Sequence, residues 1–173
     1  MGRTLWLALC FFEVNMNFNN CFHEICHLWV MIYRLGFNYG RAYLVYDIKD
    51  EGMLSIEGYK LNYNNYDDLV KSAEFIVAGV AGDKINGVLT SKDDIFNSFS
   101  THYSYEQDYK WFKKLHKTAV SNHSLKESEV DWFSKYFLLI ENYLDNQSID
   151  VLKHAATKLL ENGEYVLTNQ LAS

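Results

Sequence analysis

Residues 22–31 read Phe-His-Glu-Ile-Cys-His-Leu-Trp-Val-Met, so two histidines four apart, with a glutamate between them, interrupt a run that is otherwise apolar. On a helix, positions i and i+4 share a face, and the imidazoles of His23 and His27 can close on one divalent ion at about 2.0–2.1 Å. Glu24 projects beside that pair without ligating, where a carboxylate can take a proton from water and pass it to a leaving amine. The plainer reading is two histidines satisfied by backbone carbonyls and a His–Glu pair with a structural role. The metal reading is preferred because the segment holds no other polar residue to pair with, and an ion compensates groups that are costly to bury.

Two histidines are one ligand short, since a catalytic zinc keeps three protein ligands and one water. The candidates for the third are Glu74, His102, Glu106, Asp108 and His116. Asp108 falls on the stripe formed by Tyr105, Phe112, Leu115 and Ala119, where a lone carboxylate is out of place unless it meets a cation. Glu106 falls on the polar side with Lys110 and Lys113, as expected of a solvated face with helix-spaced ion pairs. Glu74 sits at the edge of its stripe and ranks second; His102 ranks third. Cys26, only partly on the face of His23, reads as a packing group rather than a ligand.

The elements that must position these groups are mainly helical. Asn17, Asn19 and Asn20 offer caps for a helix of about 15 to 18 residues that runs to Leu35, stops at Gly36 and, being apolar nearly all round, belongs at the centre. "AYLVYDI" and "MLSIEGYKLNY", joined by "KDEG", predict a two-stranded β-ribbon within 41–63. Asp67 is expected to cap a helix whose stripe is Leu69, Val70, Ala73, Ile76, Val77 and Val80, ending in "AGVAG". A short helix is expected around "SKDDIFNSF", then one across "SYEQDYKWFKKLHKTA". Ser124 with Glu127 reads as a capping box for a long helix to about Leu144. Ser148 caps the last helix, whose stripe is Val151, Leu152, Ala155, Ala156, Leu159 and Leu160, closed by Gly163. With no proline, repeat or linker, residues 1–173 read as a single domain, a multihelical array with a small two-stranded β-ribbon.

Composition narrows the function. A hydrophobic share of 49% with 22% charged residues is that of an ordinary globular domain with a real core. A net charge of −6 argues against a nucleic-acid partner, because no dense Lys/Arg face is available to displace counterions. Three cysteines, Cys10, Cys21 and Cys26, do not make a disulfide framework and fit a reducing, cytoplasmic location. The apolar stretch 5–14 is about half the ~20 residues needed to span a bilayer and reads as a buried element rather than a signal or a transmembrane segment. The 13 tyrosines, 11 phenylalanines and four tryptophans belong mostly to the core, with a remainder that could face a partner protein.

Three separated stretches together resemble the peptidase domain of the FtsH family of ATP-dependent zinc metallopeptidases. "HEICH" corresponds to that family's His-Glu-Ala-Gly-His, "IVAGVAGDKINGVLTS" to its Leu-Ala-Gly-Arg-Ala-Ala-Glu-Glu helix and glycine turn, and "EQDYKW" to the segment that carries its third zinc ligand. The tail "SIDVLKHAATKLLENGEYVLTNQL" is similar to the family's closing helix, so the likeness covers about residues 20–172. It implies that His23, His27 and Asp108 hold Zn2+, that Glu24 is the catalytic base, and that the fold is a helical array carrying a small β-ribbon. Ile25 and Cys26 stand where the family has alanine and glycine, and Gly82-Asp83-Lys84 where it has Ala-Glu-Glu. The sequence contains no Gly-x-x-x-x-Gly-Lys-Ser/Thr and no membrane-spanning run, so ATP-powered unfolding is not expected within it. The expected function is a stand-alone zinc metalloendopeptidase that cuts flexible or unfolded protein segments; the alternative is a non-catalytic binding or regulatory module that keeps this fold.

Overall fold

A computed structural model describes residues 17–46, 52–90 and 94–169. The apolar stretch 5–14 and Cys10 lie outside the described residues. Among the described residues, six α-helices and three β-strands follow one another as α1 (Phe18–Trp29), β1 (Tyr39–Tyr46), β2 (Gly52–Glu57), α2 (Tyr66–Ile85), α3 (Ile95–Thr101), α4 (Glu106–His123), α5 (Glu129–Asp145), α6 (Ile149–Asn162) and β3 (Glu164–Thr168). The fold is thus mainly α with a small antiparallel sheet, as the sequence leads one to expect. None of the described helices is long and apolar enough to cross a membrane.

Helix α1 begins where Asn17 accepts the amide of Asn20 through its side chain. It does not run uniformly to its end: Val30–Arg34 form a π turn, in which the Leu35 amide reaches the Val30 carbonyl at 3.0 Å. The helix buries Cys21, Phe22, Ile25, Cys26, His27 and Leu28 against α2, α6 and the sheet, and Cys21 and Cys26 are free thiols.

The second helix departs from expectation in two ways. Its cap is Asn65, whose side chain takes the amide of Asp68 at 2.9 Å, so Asp67 lies inside the first turn. More consequentially, α2 buries every residue from Ser72 to Asp83 rather than one stripe, because α1, α4 and α5 all pack around it. Small residues permit this. A Cβ at Gly82 would stand 2.8 Å from Cys26 Cβ and overlap its sulfur, so α1 and α2 touch through a glycine that α2 supplies opposite Cys26.

The ribbon of β1 and β2 gains a third member. After Gly163 ends α6 in a left-handed conformation, with φ 72°, Glu164–Thr168 pair antiparallel with β1 to give the order β2-β1-β3. The expected two-stranded ribbon is therefore the greater part of a three-stranded sheet. The sequence at this point is a short strand behind a glycine cap, and only the exposed sheet edge of β1 turns it into a strand.

Ser124 does not open a helix. It sits in the left-handed region at φ 57° and ends α4, and the next cap falls four residues later, where Ser128 takes the amide of Asp131. In α6 the buried stripe is Leu152, Ala155, Ala156 and Leu159, whereas Val151 is exposed and Leu160 only half-buried, since α1 is the main neighbour that covers the helix.

The Gly82–Cys26 contact sets a stability prediction. Gly82→Ala gains helix propensity but forces the two helices apart, and it should destabilise the protein by about 1–3 kcal/mol in a urea unfolding titration. Adding Cys26→Ala, which removes the overlapping sulfur, should recover part of the loss; equal stability of Gly82→Ala and wild type would contradict the packing.

Candidate metal centre

His23 and His27 reach one point from adjacent turns of α1, and Asp108 reaches it from the first turn of α4. The two Nε2 atoms are 3.1 Å apart, and Asp108 Oδ2 lies 3.2 Å from one and 3.4 Å from the other. The three ligand atoms fall within 4.8 Å of one another, and the group could hold a metal ion.

The far sides of the rings decide what the near sides can do. His27 Nδ1 is 2.7 Å from the carbonyl of Phe75, which can only accept, so Nδ1 carries the hydrogen. His23 Nδ1 is 2.8 Å from the carboxylate of Asp83, which fixes the same tautomer. In their neutral forms both rings therefore present an Nε2 lone pair to a carboxylate oxygen, and three acceptors at van der Waals distance need a cation or a shared proton between them. Burial opposes charge on His23, yet Asp83 and Asp108 outweigh it and hold its imidazole well above the usual histidine range. Burial likewise pushes the Asp108 carboxyl up, and the two imidazoles overcome it and hold that carboxyl below its usual range. A divalent ion placed here meets ligands that are already oriented.

The backbone leaves room for it. Gly79 of α2 faces the two rings, and a Cβ at that position would stand 2.5 Å from His27 Nε2 and overlap His23 Nε2. The residue opposite the ligand atoms is the one type that adds no atom there.

Glu24 takes no place among the three ligands. It lines the same cleft, half-buried, and burial raises its carboxyl above the usual range, with His27 and His23 partly offsetting that. The cleft encloses about 1070 Å³ between the sheet side, with Ile56, Tyr59 and Leu61, and the α4 side, with Tyr103 and Trp111.

The other candidates for the third ligand are engaged elsewhere. Glu74 is buried in a two-pronged ion pair with Arg34, at 2.9 and 3.1 Å. Glu106 is exposed and pairs with Lys110. His116 meets the carbonyl of Glu127, and His102 is exposed at the rim of the cleft, capping the amide of Ser104. Cys26 faces Gly82, and burial, reinforced by Asp83 and Glu24, pushes its thiol well up, which keeps it protonated.

Sequence reasoning missed Asp83 and Gly79. Asp83 follows Leu69, Ala73, Ile76 and Val80 at alternating steps of three and four, so it was an inward carboxylate by the same criterion that selected Asp108. Gly79 gave no signal, because its role depends on which helix lies opposite.

No family model matches the chain, and neither a curated protein nor a solved structure does.

Gly79→Ala should bring the metal content of the purified protein to background while its helical circular dichroism persists, because the added methyl occupies the space between the rings. Elemental analysis checks this beside His23→Ala and Asp108→Ala, which should behave alike; a fully loaded Gly79→Ala protein would refute the position of the ion.

Proposed function

We propose that this chain is a zinc-dependent metalloendopeptidase that hydrolyses peptide bonds in flexible or unfolded protein segments. The observation that carries the reading is the convergence of two imidazole lone pairs and a carboxylate on one point, with a desolvated, non-ligating glutamate on the cleft beside it. Three protein ligands and an open side are what a catalytic rather than a structural zinc requires. The resemblance of "HEICH" and "EQDYKW" to the FtsH peptidase domain favours the same ion and the same reaction.

Zinc held by His23, His27 and Asp108 would supply Lewis acidity to the scissile carbonyl and to the attacking water. Glu24 takes one proton from that water as the oxygen bonds to the carbonyl carbon. It then gives the proton to the amide nitrogen as the C–N bond breaks, so one water is consumed and a carboxylic acid and an amine result. Burial suits Glu24 to this exchange, because a raised carboxyl pKa strengthens the base and narrows the gap to the groups it serves. His23 and His27 remain fixed throughout by Asp83 and the Phe75 carbonyl.

The cleft favours a chain over a small molecule. In the order β2-β1-β3, β2 is an edge strand, and its Ser55 and Ile56 line the cleft, so an extended peptide can pair with main-chain groups there while its side chains meet Ile56, Tyr59 and Leu61. A flexible or unfolded segment most readily adopts the extended form that such pairing needs, which favours substrates of that kind.

Glu24→Gln keeps the shape of the side chain and removes the base. It should retain stoichiometric zinc and lose about 10²–10⁴-fold in kcat on an unfolded protein substrate followed by gel or mass spectrometry. Unchanged cleavage with zinc in place would eliminate the mechanism. A wild-type protein that binds zinc and an extended peptide without cutting it would instead support a non-catalytic binding module.

A further inference from the structure

The carboxylate of Asp83 serves two donors with one atom. Its Oδ2 accepts Nδ1–H of His23 at 2.8 Å and the hydroxyl of Tyr105 at 2.9 Å. Both Asp83 and Tyr105 are buried, at 5% and 4% exposure, so little bulk water competes for those bonds. Lys84, the cation next in sequence, is turned to Glu141 at 2.6 Å and takes no part. The Tyr105 ring also lies against the His23 imidazole, with centroids 5.8 Å apart and planes inclined by 29°.

Tyr105 precedes Asp108 by three residues, at the entry to α4, so both side chains leave the same turn on the same side. That turn grips His23 at both nitrogens, through Asp108 on Nε2 and through Tyr105 and Asp83 on Nδ1. We propose that Tyr105 is a positioning residue of the metal centre, which through its hydroxyl holds Asp83 on His23 and so tightens the hold of the His23, His27 and Asp108 set on a divalent ion. The proposal rests on the metal reading given above and extends it to a residue that touches neither the ion nor the substrate. A carboxylate pinned by a second donor cannot swing about its own bond, and an imidazole tied to it keeps the tautomer and the tilt that aim Nε2 inward.

The test measures zinc affinity of the metal-free full chain by competition with a chromophoric chelator, together with the visible spectrum of the cobalt-loaded protein. Tyr105→Phe keeps the ring and its contact with His23 and removes only the hydroxyl. It should weaken zinc binding by about tenfold and shift the cobalt bands. In an Asp83→Ala background the same change should cost less than twofold, since its effect runs through Asp83. Tyr109→Phe, which removes a hydroxyl one turn further along α4 from a half-buried tyrosine, should leave affinity and spectrum unaltered and controls for loss of a tyrosine hydroxyl on this helix as such. Affinity of Tyr105→Phe within twofold of wild type, or an equal loss with and without Asp83, overturns the role of Tyr105 and leaves the metal centre standing. A wild-type chain that binds neither zinc nor cobalt overturns the metal reading itself, and this role with it.

Discussion

Three electron-pair donors that face one another at 3.1–3.4 Å are the constraint on which the rest of the molecule turns. Their mutual repulsion is tolerable only with positive charge at the centre, and each is held in place from behind, by a carbonyl, a carboxylate or a helix turn. The imidazoles come from α1 and their supports from α2 and α4, so the centre exists only when the three helices are docked. Burial of the whole middle of α2 then has a chemical reason as well as a packing one. The helix must bring a carbonyl, a side-chain carboxylate and an atom-free position to the two imidazoles, and it can do so only from between its neighbours.

The same arrangement divides the labour among carboxylates. Asp108 meets the imidazoles directly and stays ionised; Asp83 acts from behind His23; Glu24, half-buried and facing the cleft, is the group we propose for proton exchange. Three acidic groups within one small region thus differ in environment, and environment assigns their roles. The cleft that Glu24 faces mixes polar side chains, such as Asn20, Lys60 and Gln107, with the apolar faces of Ile56, Tyr59, Leu61 and Trp111.

Much of this was legible in the primary structure, and the residues say why. The pair His23 and His27 was visible because helical spacing converts sequence distance directly into a shared face. Asp108 was visible because a carboxylate in a buried stripe violates the pattern around it. Asp83 obeys the same logic and was passed over because its neighbours are so small that the stretch reads as packing. The third strand, the all-round burial of α2 and the opening made by Gly79 were not legible, since each depends on what lies opposite in space. Ser124 misled because Ser-x-x-Glu is a local pattern, and local patterns cannot tell a helix start from the left-handed residue that ends the helix before it. The close approach of α1 and α2 is likewise a relation between chains of residues: Cys26 takes the larger place and Gly82 the smaller.

The π turn at Val30–Arg34 lies immediately downstream of both imidazoles and upstream of the sheet. A widened turn accommodates one residue more than an α turn, and it re-aims the chain so that Arg34 lands on Glu74 and over the ring of Tyr143. Length variation in the chain can therefore be absorbed at this point without rotating His23 relative to His27. The wide turn acts as a mechanical joint between the helix that carries the two imidazoles and the sheet beyond it.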